Sequence, residues 1–221
     1  MKGRLSLLVL VALAAVSLTA NVAQAAKFTA GAYPASVFGE QAATPAPNTG
    51  IEGGTVFGFE SKLMLECATA TFAGSLTEAS SALTVAPKLE GCRAFESILG
   101  SANPNGCETR FHATSGSGDE FGGTVDIVCP EGKKIVVTGN NCEVQIGAQS
   151  GVGGIKYVNE TKSSPHSVIL EFAVNSLTYT KTKDAIGCPL SGTGTLSDGV
   201  IAGSATVGAT KGGEPIAFAL E

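Results

Sequence analysis

The residues best equipped for chemistry are six cysteines: Cys67, Cys92, Cys107, Cys129, Cys142 and Cys188. A zinc site draws on close pairs such as C-x-x-C, and the tightest spacing here is Cys129 to Cys142, so a metal centre is not expected. An even number of cysteines in an exported chain instead reads as a disulfide framework. Six cysteines allow about fifteen pairings, and strand register selects among them. Cys107 to Phe111 and Val125 to Cys129 flank a Gly/Ser loop from Ser115 to Gly123. Folded as a hairpin, they set Phe111 opposite Val125 and Cys107 opposite Cys129 on the apolar side. A longer hairpin centred near Ala79 and Ser80 brings Cys67 opposite Cys92. Cys142 and Cys188 remain as a long-range staple. Each bridge is expected to contribute about 2–4 kcal/mol, chiefly by restricting the unfolded chain.

Catalytic equipment is sparse. There are two histidines, His112 and His166. His112 falls on the polar side of its strand, beside Glu108 and Arg110, and reads as solvated. His166 follows Ser163-Ser164-Pro165, but adjacency in sequence does not build a serine–base pair with an oxyanion hole. No G-x-S-x-G elbow is present. Glu60, Glu66, Glu90, Asp119, Glu120, Asp126 and Glu171 would suffice for paired-carboxylate chemistry on sugars. Against that, Trp is absent and only Tyr33, Tyr157 and Tyr179 offer a ring to stack on. These carboxylates therefore read as a solvent face. Neither a P-loop nor a dinucleotide or calcium-loop spacing occurs, so no cofactor is expected. Asp119-Glu120 lies in a glycine-rich loop suited to be a contact surface or simply a hairpin tip. Asn159-Glu160-Thr161 fits a glycosylation sequon, relevant only to a eukaryotic secretory route.

The elements that must position these residues are strands. Val168, Leu170, Phe172 and Val174 alternate with Ser167, Ile169, Glu171 and Ala173. The same period of two runs through Cys142–Ile146 and Ile216–Leu220, the mark of half-buried antiparallel strands. Asn103–Gly106, Pro130–Gly132 and Thr138–Asn141 supply turns between runs, and Ser197-Asp198-Gly199 reads as a hairpin turn. Leu76–Leu83 is allotted at most a turn or two of helix, and Glu40–Gly54 a loop. The expected fold is an all-β antiparallel sandwich or barrel stapled by about three disulfides, after an N-terminal signal helix. A boundary at 101–106 would split residues 26–221 into two β units; one continuous domain is the preferred reading.

The N-terminus supplies the route out of the cell. Lys2 and Arg4 precede an apolar stretch, Leu5 to Ala20, and Ala23-Gln24-Ala25 closes it with a small-x-small pattern. That is a secretory signal peptide, residues 1–25, too short for a membrane span. Cys67 is the first cysteine, so lipidation at the cleavage site is not expected. Losing Lys2 and Arg4 takes the net charge of the 221-residue chain from −5 to −7. Such a balance argues against nucleic-acid binding. Edge strands would allow copies to pair without requiring it.

Several segments resemble a group of secreted six-cysteine, β-rich proteins of high-GC Gram-positive bacteria. They are Phe28–Pro34, Cys67–Thr84, Asn105–Cys107, Val125–Lys133 and Gly192–Thr195. The resemblance implies export and a cysteine-stapled β fold. It implies no activity and carries over no functional residue. The expected function is a secreted, non-enzymatic β module binding a cell-envelope component or an extracellular protein through its loops. The alternatives are a small hydrolase using carboxylates or His166, and an extracellular protein inhibitor.

Overall fold

The computed structural model describes residues 25–41, 54–94, 98–184, 186–191 and 194–221. The expected signal helix lies outside these residues, apart from Ala25. Four strands run the length of the molecule: β4 (Leu63–Leu76), β5 (Ala82–Ala94), β12 (Ser167–Asp184) and β13 (Gly194–Lys211). The remaining wall is built from shorter strands laid end to end. β2 (Ala35–Gln41) and β3 (Thr55–Phe59) share the place between β13 and β4. Three such couples fill the wall between β5 and β12. They are β6 (Ile98–Asn103) with β7 (Glu108–Ser117), β8 (Glu120–Val128) with β9 (Ile135–Gly139), and β10 (Cys142–Ile146) with β11 (Gln149–Glu160).

Every pairing is antiparallel, and the last long strand returns to the first. Val207 of β13 faces Gly39 of β2, and Ile201 faces Phe57 of β3. The result is an up-and-down barrel with eight positions around its wall. It settles the choice between sandwich and barrel. Closure removes the free edges that an open sheet exposes. The Asn103–Gly106 turn lies between β6 and β7, both of which pair with β5, so β5 carries the sheet past it.

Alternation puts one side chain in two into the barrel. Leu63, Leu65 and Cys67 are buried while Met64 between them is exposed. Gly91, at φ +64°, stands opposite Ala68 in a ladder that keeps its register. Beyond it the inward set changes phase, so that Ala70 rather than Thr69 is buried. The outer face carries the ion pairs Lys88–Glu90 and Lys156–Glu120 and the hydrogen-bonded pair His112 and Asp126. An apolar interior with a charged exterior is the reverse of a water-filled transmembrane barrel.

Both ends are corked. At one, β1 (Phe28–Ala30) pairs with β15 (Phe218–Leu220), after β14 (Glu214–Ile216) has folded back on β13. Phe28 and Phe218 stack 6.2 Å apart, and Tyr157 meets Phe28 edge-on at 5.4 Å. The side chain of Asn159 donates to the Leu220 carbonyl and accepts from the Leu220 N–H, at 2.8 and 2.9 Å. The opposite mouth is covered by residues 186–191, whose Leu190 is buried.

The disulfides join Cys67 to Cys92, Cys107 to Cys129 and Cys142 to Cys188, as strand register predicts. Such bridges are compatible with an oxidising, extracellular location. The third ties the 186–191 cork to β10. Asn140 and Asn141, at φ 48° and 62°, make the tight turn between β9 and β10. Their side chains donate to the Gly187 and Ile186 carbonyls at 3.2 and 3.1 Å, holding the same cork.

Other expectations need correction. Leu76–Leu83 holds no helix; it is the end of β4, a bend at 77–81 and the start of β5. Ser197-Asp198-Gly199 is not a hairpin turn but part of the uninterrupted β13. The reason is tertiary: Tyr179 donates to Asp198 Oδ1 at 2.8 Å, and Gly199 lies against Leu177 and Tyr179 where the ladder bulges. Glu40 and Gln41, expected in a loop, extend β2, while 42–53 lie outside the described residues.

Glycine has a second use besides turns. Four phenylalanines sit directly across a strand pair from a glycine: Phe72 from Gly39, Phe172 from Gly203, Phe38 from Gly208 and Phe121 from Gly116. A Cβ at Gly203 would lie 2.6 Å from the Phe172 ring, and one at Gly208 2.8 Å from Phe38. The ring lies flat in the space that the missing side chain leaves. Gly123 is tighter still, because its Cβ would strike the His112 carbonyl and come within 2.5 Å of the Tyr157 ring. Gly123→Ala is expected to lower stability by about 1–3 kcal/mol, as overpacking does. Gly147→Ala, which meets nothing within 4 Å, should shift the urea midpoint little. Equal midpoints for the two would contradict this packing.

Removing the longest bridge provides a second check. Replacing Cys142 and Cys188 together by Ser frees a loop with a sequence separation of 46 residues. Loop entropy sets the expected loss at about 4 kcal/mol, read from urea unfolding of the oxidised proteins.

Candidate functional site

An apolar space inside the barrel lies at the waist, where the end-to-end strands meet. It is a cavity of about 110 Å³. Phe57, Phe72, Phe111, Phe172, Leu177 and Ile201 are among the side chains that line it. The few polar lining groups are Thr55, Thr71, Thr109 and Ser204. β3, β4, β5, β7, β8, β9, β11, β12 and β13 all contribute to the lining, so only the assembled barrel creates the site.

The wall is weakest beside it. The turns at Pro104–Cys107 and Pro130–Lys133 break two positions of the wall, and Gly147-Ala148 breaks a third. The Cys107–Cys129 bridge clamps the first two breaks together. Phe72, Leu89, Val152, Phe172 and Ile201 remain only partly buried although they pack against the core. Apolar surface is thus turned toward open space instead of being filled by neighbours.

Polar groups gather elsewhere. At the mouth covered by residues 186–191, Glu60 accepts the Ser191 N–H at 2.8 Å and the Lys62 ammonium at 3.1 Å. Lys62 also donates to Ser191 Oγ. Burial opposes ionisation of Glu60, but the Ser191 N–H and Lys62 outweigh it and hold the carboxyl below its ordinary range. Glu60 and Ser61 adopt φ 51° and 50°, a tight turn made without glycine, so this clamp also fixes a strained corner. Nearby, the buried Lys181 donates to the Leu190 carbonyl at 2.9 Å. The serine, lysine and carboxylate stand together, yet a lysine ammonium engaged with Glu60 has no lone pair with which to take the Ser191 proton. Their chemistry is that of a fastening.

The sequence-predicted candidates are dispersed. His166 is exposed and contributes its backbone carbonyl, which accepts the Phe218 N–H at 3.0 Å. Ser163 donates to the Glu160 carbonyl at 2.8 Å and lies 3.1 Å from Ser167 Oγ. His112 is not merely solvated: it meets Asp126 at 2.8 Å across the β7–β8 ladder. Glu90 pairs with Lys88 and Glu120 with Lys156. The β7–β8 strands reach to Ser117 and Glu120, leaving Gly118 and Asp119 as the tip of the acidic loop. Of all the predicted groups, the cysteines alone are brought together as predicted.

Residues 62 and 191 lie far apart in sequence, and no motif links them. The cavity residues were legible as inward-facing apolar positions, but nothing in their order marks the waist as incompletely filled. Comparison with known proteins adds nothing further: no family model, curated protein or solved structure matches the chain.

The Gly151 N–H, donating at 2.8 Å, and His112 together hold the Asp126 carboxyl below its ordinary value of 3.8. A depressed folded value means that the stabilisation is complete above the unfolded pKa and is lost as pH falls through the folded one. Asp126→Asn should therefore cost about 0.5–1 kcal/mol at pH 6, the scale of a part-exposed pair. The difference from wild type should shrink as acid unfolding is approached below about pH 4. A constant difference from pH 6 to pH 2 would contradict the assignment.

Proposed function

We propose that this chain is an exported, non-enzymatic β-barrel module that binds a cell-envelope component or an extracellular protein. Export rests on the sequence of residues 1–25 and accords with three bridges among six cysteines. The observation that carries the binding role is the division of labour inside the fold. The carboxylate, lysine and serine groups that come together fasten the cork, while the apolar interior keeps an open space at its waist. A rigid, disulfide-tied wall around preformed space lowers the ordering cost of binding.

A hydrolase working through His166 draws no support from this arrangement, because the part of His166 that is engaged is its backbone carbonyl. Cosedimentation of the oxidised, leader-free protein with purified wall and membrane fractions tests the proposal. Saturable pelleting with one fraction, lost on reduction, is the expected result. Failure to pellet with any fraction, together with turnover on an ester, glycoside or peptide panel, would replace binding by catalysis.

A further inference from the structure

We propose that the waist cavity is a binding site for the hydrocarbon end of a linear acyl or isoprenoid chain, entered from the side of the barrel. The inference rests on the binding role above and names its ligand class. Three features carry it.

The first is chemistry. The cavity walls are almost wholly apolar, with aromatic faces at Phe57, Phe72, Phe111 and Phe172. A charged ligand group placed there would lose its water and meet only a few hydroxyls in return. A hydrocarbon loses nothing and gains dispersion contacts.

The second is size. Apolar cavities of about 150 Å³ stay dry and take up benzene, so by the same scale about 110 Å³ holds about four carbons. Such a space accommodates the end of a chain and excludes a headgroup, which would remain outside.

The third is the path. β1 and β15 cork one end of the barrel and Leu190 the other, so neither mouth leads inward. The breaks at Pro104–Cys107, Pro130–Lys133 and Gly147-Ala148 interrupt the wall at the level of the cavity. Pro104, Leu89 and Val152 line the cavity and are partly exposed, giving an apolar track from solvent to interior. Gly39 and Gly203, across from Phe72 and Phe172, keep those two rings against the wall and out of the space between them.

The test uses the oxidised protein and a series of straight-chain alcohols from methanol to octanol, followed by methyl shifts of Val152, Ile155 and Ile201. Val37, buried in the β2 portion of the barrel, is the reference. Affinity should rise about fourfold per methylene up to about butanol and then level off as the cavity fills. Ala205→Leu and Ala70→Leu fill the space from β13 and β4, and each should weaken binding at least tenfold. Ala205→Val, a smaller change, serves if either leucine variant fails to fold, with an expected loss of severalfold. Decanoate and anionic phospholipid vesicles then distinguish a free chain from a membrane-borne one. The inference is overturned if binding lacks chain-length dependence, if shifts at Val37 match those at Ile155, or if a folded, filled variant binds as well as wild type. Envelope pelleting that survives in a filled variant would overturn this ligand assignment alone and leave the binding role standing.

Discussion

The structure depends on one contact: the return of β13 onto β2 and β3. Without that seam the wall would be an open sheet, with β13 on one edge and β2 and β3 on the other. With it, the inward side chains of eight wall positions face one another and form a single core. Closure also explains the corks. A barrel mouth exposes inward apolar residues to water, and Phe28, Phe218 and Leu190 cover them. The cork fastenings follow in turn: Asn159 on Leu220 at one end, and Cys142–Cys188 with Glu60, Asn140 and Asn141 at the other.

The waist follows from the same geometry. Long strands twist and cannot keep ideal pairing over their whole length without relief. Here the relief is concentrated at mid-height, in the positive-φ Gly91 of β5 and in the broken couples β6–β7, β8–β9 and β10–β11. At Gly91 the inward phase of β4 and β5 changes together. The volume left over is the cavity. Its position among the breaks is therefore one consequence of a barrel longer than a regular ladder allows.

Much of this was legible in the sequence. Period-two alternation in Val168–Val174 and Cys142–Ile146 identified strands, because a half-buried sheet imposes that pattern directly. Register arithmetic paired Cys67 with Cys92 and Cys107 with Cys129, because a hairpin couples residues at equal distance from its turn. Asn140-Asn141 announced its turn through tolerance of positive φ. Asp198-Gly199 misled for a physical reason: the dipeptide favours a turn locally, but Tyr179 and the long β12 ladder hold it extended. Glu60-Ser61 escaped notice since neither residue favours the left-handed region, and its clamp lies on a distant segment. The cavity was illegible because alternation reports which way a side chain points, not whether the opposing side chains meet.

The closing seam is the claim on which all else stands, and amide hydrogen exchange of the oxidised protein measures it most directly. In a closed barrel, amides at the β13 seam, around Val207–Gly39 and Ile201–Phe57, are protected to the same order as those of the β4–β5 ladder around Cys67. Seam amides exchanging as fast as a solvent-facing sheet edge, beside a protected β4–β5 ladder, would contradict a closed barrel and the enclosed waist with it.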